Sequence, residues 1–79
     1  NDRLAEAVLR WCRDHHRPRP RVIGFDDAPI AAWRELTTIA IPWQELTAAA
    51  ANVIRRRLTG DASAATHVVV SARPVMRTL

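Results

Sequence analysis

The segment Arg21 to Phe25 (RVIGF), closed at once by Asp26 and Asp27, constrains the fold more than any other part of the chain. Val22, Ile23 and Phe25 form a short apolar run of the kind that lies buried in a sheet, and Gly24 allows another backbone to come close. Upstream, Leu4, Ala7, Val8, Trp11 and Cys12 recur at helical spacing, which predicts a helix over 2–16 with that stripe buried. Asn1 or Asp2 can cap its start, and Glu6 and Arg10 stand at i,i+4 on the wet face. Arg17-Pro18-Arg19-Pro20 stops the helix, because proline biases its predecessor away from helical geometry. A helix, a break and a buried strand predict an α/β layer.

The remaining segments continue the alternation. Ala28 to Trp33 reads as one helical turn, with Pro29 tolerated in its first turn. Thr37 to Ile41 (TTIAI) reads as a second strand. Pro42 suits position N1 of a helix running to Leu58, with Leu46, Ala50, Val53, Ile54 and Leu58 as its buried stripe. Gly60 suits a left-handed C-cap, and Arg55 to Arg57 sit where the helix dipole favours cations. After a polar loop, Asp61 to Thr66, a third strand is expected over His67 to Ser71 and a short fourth over Pro74 to Arg77.

Composition excludes several function classes. The chain has 79 residues and one cysteine, so it is at most one small domain without an internal disulfide or a Cys-cluster zinc site. Its core is thin and unstapled, which implies a piece of something larger or an obligate partner surface. His15 and His16 point about 100° apart on a helix and do not chelate together easily. No Ser-His-Asp, paired-acid or glycine-rich phosphate pattern occurs, so we expect no enzyme, no cofactor and no metal. No apolar run is long enough to cross a bilayer. The net charge of +4 comes entirely from arginine, which suits a high-GC genome and makes a mild field, not a nucleic-acid stripe. Arg17, Arg19 and Arg21 cluster, as do Arg55 to Arg57.

Asp26 and Asp27 are the residues most open to a binding role. Ligands of open α/β sheets sit outside the carboxyl ends of strands, where a carboxylate accepts hydrogen bonds from sugar hydroxyls, a base or an amide. The rival is structural: one Asp caps the turn at Ala28 and the other is solvated. Trp11 belongs to the core stripe of the first helix. Trp33 and Trp43 stand near element ends, where an aromatic stacks on a sugar, fills an interface or simply packs.

VIGFDDAPIAAW (22–33), LTTIAIPWQEL (36–46), RRRLTG (55–60) and VVVSARPVMR (68–77), with the opening Asn1-Asp2 and Ala5, make the chain resemble the LacI/GalR-type family of bacterial transcriptional regulators. The resemblance implies an α/β fold, part of a two-subdomain periplasmic-binding-protein-like (type I) core with parallel sheets flanked by helices. Residues 1–39 and about 66–79 would belong to the C-terminal subdomain, and a helix at about 43–60 to the N-terminal one. Ile39 to Pro42 and the loop after Gly60 would be hinge crossings.

By the same resemblance, Asp26 matches an effector-binding position, Asn1 the amide at the pocket edge, and Trp43 a cleft position that is aromatic in some members. The region holding Ile30 and Trp33 would help form a two-fold dimer interface, with Trp33 as anchor and Trp11 turned to the sheet. Ile41 stands where the family usually has Gln, which argues for an effector less polar on that side than a simple hexose. Arg34-Glu35 replaces the usual Pro-Pro. The implied function is allosteric: a sugar or related polar metabolite binds a cytoplasmic homodimer and changes the operator affinity of a helix-turn-helix headpiece outside this chain. No membrane partner is expected. The alternatives are a solute-binding protein of an uptake system with the same fold, and a small basic nucleic-acid-binding module.

Overall fold

In chain order the elements are helix α1 (Asp2–Asp14), helix α2 (Pro29–Trp33), strand β1 (Thr38–Ala40), helix α3 (Trp43–Leu58) and strand β2 (Arg73–Val75), in a computed structural model that describes residues 1–63 and 67–78. They fall into two compact units: Asn1–Ile41 with Ala72–Leu79, and Pro42–Ser71. The expected loop Asp61 to Thr66 lies partly outside the described residues. No helix is long and apolar enough to cross a membrane.

In the first unit, Asn1 caps α1, its side-chain oxygen accepting the Leu4 N–H at 2.9 Å. The face that α1 buries is not the expected one. Asp2, Ala5, Glu6 and Leu9 are buried, whereas Leu4 and Trp11 are 66% and 53% exposed. The apolar half of the buried face packs with Ala31, Leu36 and Val22. The polar half tolerates burial because it is partnered. Glu6 does not pair with Arg10 in water; it faces Arg34 across to the end of α2, at 3.4 Å. Trp11, expected against the sheet, stacks instead on His15, with ring centroids 4.1 Å apart.

The predicted strand over Arg21 to Phe25 forms no regular ladder. It is extended and runs parallel to β1, with Gly24 N–H donating to the Thr37 carbonyl at 2.9 Å and Asp26 N–H to the Ile39 carbonyl at 2.8 Å. The carbonyl of Phe25 faces the other way and accepts the Asp2 N–H at 3.2 Å, so α1 and not a further strand covers that edge. Side chains alternate in such a segment. Val22 therefore packs on the core while Ile23 and Phe25 remain exposed, which corrects the expectation of a fully buried run.

Beside this parallel pairing and an isolated parallel bridge between Leu36 and Thr78, the one ladder among the described residues is antiparallel, pairing Thr38 with Val75, Ile39 with Pro74 and Ala40 with Arg73. The chain leaves the first unit along β1 and re-enters it along β2. Neighbouring exit and entry strands at one boundary run in opposite directions. Pro74 is accommodated because β2 is paired on one side only.

In the second unit, α3 begins one residue later than predicted, with Pro42 as N-cap. None of its residues is buried. Four residues of the expected stripe, Leu46, Ala50, Val53 and Ile54, instead line an open groove of about 300 Å³ together with Val68 and Val70, whereas Leu58 is exposed. His67 to Ser71 is not a strand, because no strand pairs with it among the described residues, and β-branched residues do not make a strand without a neighbour.

The end of α3 follows the sequence closely. Gly60 has φ +82° just past the cap, its N–H donates to Arg57 O at 3.1 Å, and Asp61 N–H donates to Arg56 O at 2.9 Å. These two bonds satisfy carbonyls that the helix leaves open. Asp61 accepts from the Ser63 hydroxyl and N–H at 2.5 and 2.9 Å and from Arg56 Nε at 2.8 Å. The Ser63 hydroxyl first, then Arg56, holds its carboxyl below the ordinary value. Because the folded value is the lower one, these contacts favour the folded form above the unfolded pKa. That effect is lost as pH falls through the folded value. An NMR titration should give Asp61 a midpoint below 3.8, and Ser63→Ala should raise it more than Arg56→Gln does. A midpoint at or above 3.8 in the unaltered protein would contradict the assignment.

Candidate functional site: the Asp26–Asp27 turn

The extended segment 22–25 ends in two successive residues with left-handed backbone, Asp26 at φ +109° and Asp27 at φ +53°. A non-glycine residue in this region costs on the order of 1 to 3 kcal/mol and persists only where its surroundings enforce it. Here they do. Asp2, which is 1% exposed, sends both carboxylate oxygens to the turn. Its Oδ2 accepts the Ala28 N–H and its Oδ1 accepts the Thr38 hydroxyl, both at 2.6 Å. Thr38 Oγ1 in turn accepts the Asp27 N–H at 3.3 Å.

The far side of the turn is tied by Arg77. Its Nη2 donates to Asp27 Oδ1 at 2.9 Å and its Nη1 to the Leu36 carbonyl at 3.0 Å. The Arg77 N–H donates to Thr37 Oγ1 at 2.9 Å, while the Thr37 hydroxyl donates to the Thr78 carbonyl at 3.0 Å. Two adjacent threonines, Thr37 just before β1 and Thr38 at its start, thus serve two separate purposes, Thr38 toward Asp2 and Thr37 toward the C-terminal segment.

Asp26 is the residue left over. Its backbone is fixed, its side chain is exposed, and its carboxylate has no side-chain partner among the described residues. The structural rival, in which Asp26 or Asp27 caps α2, is not how this turn is built, since Ala28 is the N-cap and Asp2 takes its N–H. Asn1 lies close by construction: the peptide joining Asn1 to Asp2 is hydrogen bonded to the peptide joining Phe25 to Asp26. The Asn1 amide oxygen is occupied by Leu4, so its amide N–H groups are what it can offer a ligand. Together the two side chains present an acceptor pair and a donor, which suits a hydroxyl or amino group.

Trp43 is the first residue of α3, exposed, and belongs to the second unit. Trp33, at the end of α2, is 81% exposed, and Ile30 is half-buried. Sequence reasoning missed Asp2, Thr38 and Arg77. The signal for the first two was an acid in a helical first turn and a hydroxyl in a strand, neither diagnostic alone. No group of three His, Cys, Asp or Glu side chains that could hold a metal is found among the described residues.

No curated protein and no solved structure matches the chain with significance. A family model described as a periplasmic binding protein-like domain matches residues 1–78. That span takes in α1, the Asp26–Asp27 turn and both strands, so the chain belongs to the periplasmic binding protein-like domain family.

Proposed function

We propose that the chain is the effector-binding and dimerisation region of a cytoplasmic LacI-type regulator, coupling a small polar metabolite to the DNA affinity of a helix-turn-helix headpiece. The observation that carries this reading is the unpartnered Asp26 carboxylate on a strained turn that three other side chains hold in place. Binding energy there does not have to order the loop first, which is the advantage of preorganisation. In this reading the two units are parts of two subdomains, and the ligand acts by favouring one arrangement of them.

A thermal-shift screen of the intact protein against sugars, polyols and amino-bearing metabolites should find a stabilising ligand. Asp26→Asn keeps the size of the side chain and removes its charge, so calorimetry should then show a loss of about 1.5 to 3 kcal/mol of binding, the range for a charge-assisted hydrogen bond. Unchanged affinity would leave Asp26 as a turn residue only. If the ligand binds through Asp26 but leaves DNA affinity untouched, the solute-binding reading replaces the regulatory one.

Dimerisation is supported by the uncovered apolar surface of α1 and by Trp33. Leu4, Val8 and Trp11 make one exposed stripe, and α2 lies beside α1. In a two-fold interface the same patch serves both partners. Trp33→Ala in the intact protein should weaken the dimer by about 1 to 3 kcal/mol, as expected for an aromatic anchor. Sedimentation giving the same dissociation constant for both proteins would remove Trp33 from the interface.

A further inference from the structure

We propose that a pocket at the C-terminal end of α1 binds the phosphate group of a small phosphorylated metabolite. The pocket has a volume of about 240 Å³ and is lined by Leu9, Cys12, Arg13, Arg17 and Arg19. Local structure brings the three arginines together. His16 has φ +53° and Arg17 N–H donates to the Cys12 carbonyl at 2.7 Å, which turns the chain back under the last turn of the helix. Arg13 on the helix and Arg17 and Arg19 beyond it then border one cavity. Pro18 and Pro20 fix the backbone between and after the last two, so less conformational freedom is lost when they hold a ligand.

An ordinary helix-end role does not account for this cluster. The Trp11 and Cys12 carbonyls at the end of α1 take backbone N–H groups of His15 and Arg17, not guanidinium groups. Among the described residues the Arg13, Arg17 and Arg19 side chains have no carboxylate or carbonyl partner, and no acidic residue lines the pocket. Three cations around one concavity repel one another until an anion enters. A guanidinium fork matches two oxygens of one phosphate, and three forks favour a dianion over a carboxylate or chloride. The buried Leu9 and half-buried Cys12 supply an apolar floor for the carbon part of a monoester. This site is independent of the Asp26 reading.

The test uses the intact protein at a series of ionic strengths, matched between ligands. Inorganic phosphate, glycerol 3-phosphate and a random-sequence DNA duplex are titrated separately, followed by calorimetry and by the NMR signals of the arginine Nε–H groups. Saturable binding of both phosphates is expected, tighter for the monoester. Arg17→Ala/Arg19→Ala should weaken it about tenfold or more, as loss of charge-assisted hydrogen bonds implies, with an unchanged near-UV CD spectrum. Arg21→Ala, next in the chain but outside the pocket, should bind as the parent does. The proposal fails if neither phosphate saturates, or if Arg21→Ala loses as much as the double variant. It also fails if only the duplex binds through these arginines with a steep salt dependence, which would assign them to nucleic-acid backbone.

Discussion

Asp2→Ala is expected to destabilise the protein by about 2 to 5 kcal/mol, because it removes the acceptor of two short hydrogen bonds and leaves two donors unsatisfied. The Thr38 hydroxyl and the Ala28 N–H both end on this carboxylate, and Thr38 is fully buried. Truncation leaves a cavity where the carboxylate stood and frees the backbone of Asp26 and Asp27 to leave their strained geometry. Equilibrium denaturation of the intact protein measures the effect. A loss below about 1 kcal/mol, the level of an ordinary surface change, would mean that water replaces the carboxylate and that the turn does not depend on it.

Gly24→Ala should cost about 2 to 4 kcal/mol, the range for overpacking that also breaks a hydrogen bond. A Cβ at position 24 would come within 2.0 Å of Asp2 Oδ1 and 3.1 Å of Leu36 Cδ2. The carboxylate is short and tied at both oxygens, so it has no slack to give. The penalty is therefore one of space shared with Asp2, not of backbone freedom. It follows that the two changes are coupled. In Asp2→Ala/Gly24→Ala the new methyl group occupies room that the carboxylate has vacated, and the double variant should be at least about 1 kcal/mol more stable than the sum of the two losses implies. Additivity within about 0.5 kcal/mol would show that the clash lies elsewhere.

The parts of this fold that were legible in sequence are those governed by local rules. Asn1 as a cap, Gly60 past the end of α3, and Thr38 to Ala40 as a strand each follow from the chemistry of a few adjacent residues. The side of α1 that would be buried was not legible. Its most apolar stripe faces outward, while Asp2 and Glu6 face inward because Thr38, Ala28 and Arg34 meet them there. No periodicity reveals a partner brought from another segment. The candidate site divides in the same way. The place of Asp26 at the end of an extended segment was legible, because an acid closes the apolar run there. What holds it was not, since Arg77 lies 50 positions beyond Asp27.

That separation fixes an order of assembly. The first unit is written in two pieces, with all of Pro42–Ser71 between them. A nascent chain that has just emitted Asp26 and Asp27 has Asp2 and soon Thr38, but not the guanidinium that ties the other side of the turn. β1 likewise waits for β2. The contacts that shape the turn on its C-terminal side therefore form late and across a long loop, where closure entropy slows folding. A chain cut anywhere between residues 42 and 71 contains every atom of the turn and lacks the segment that fastens it.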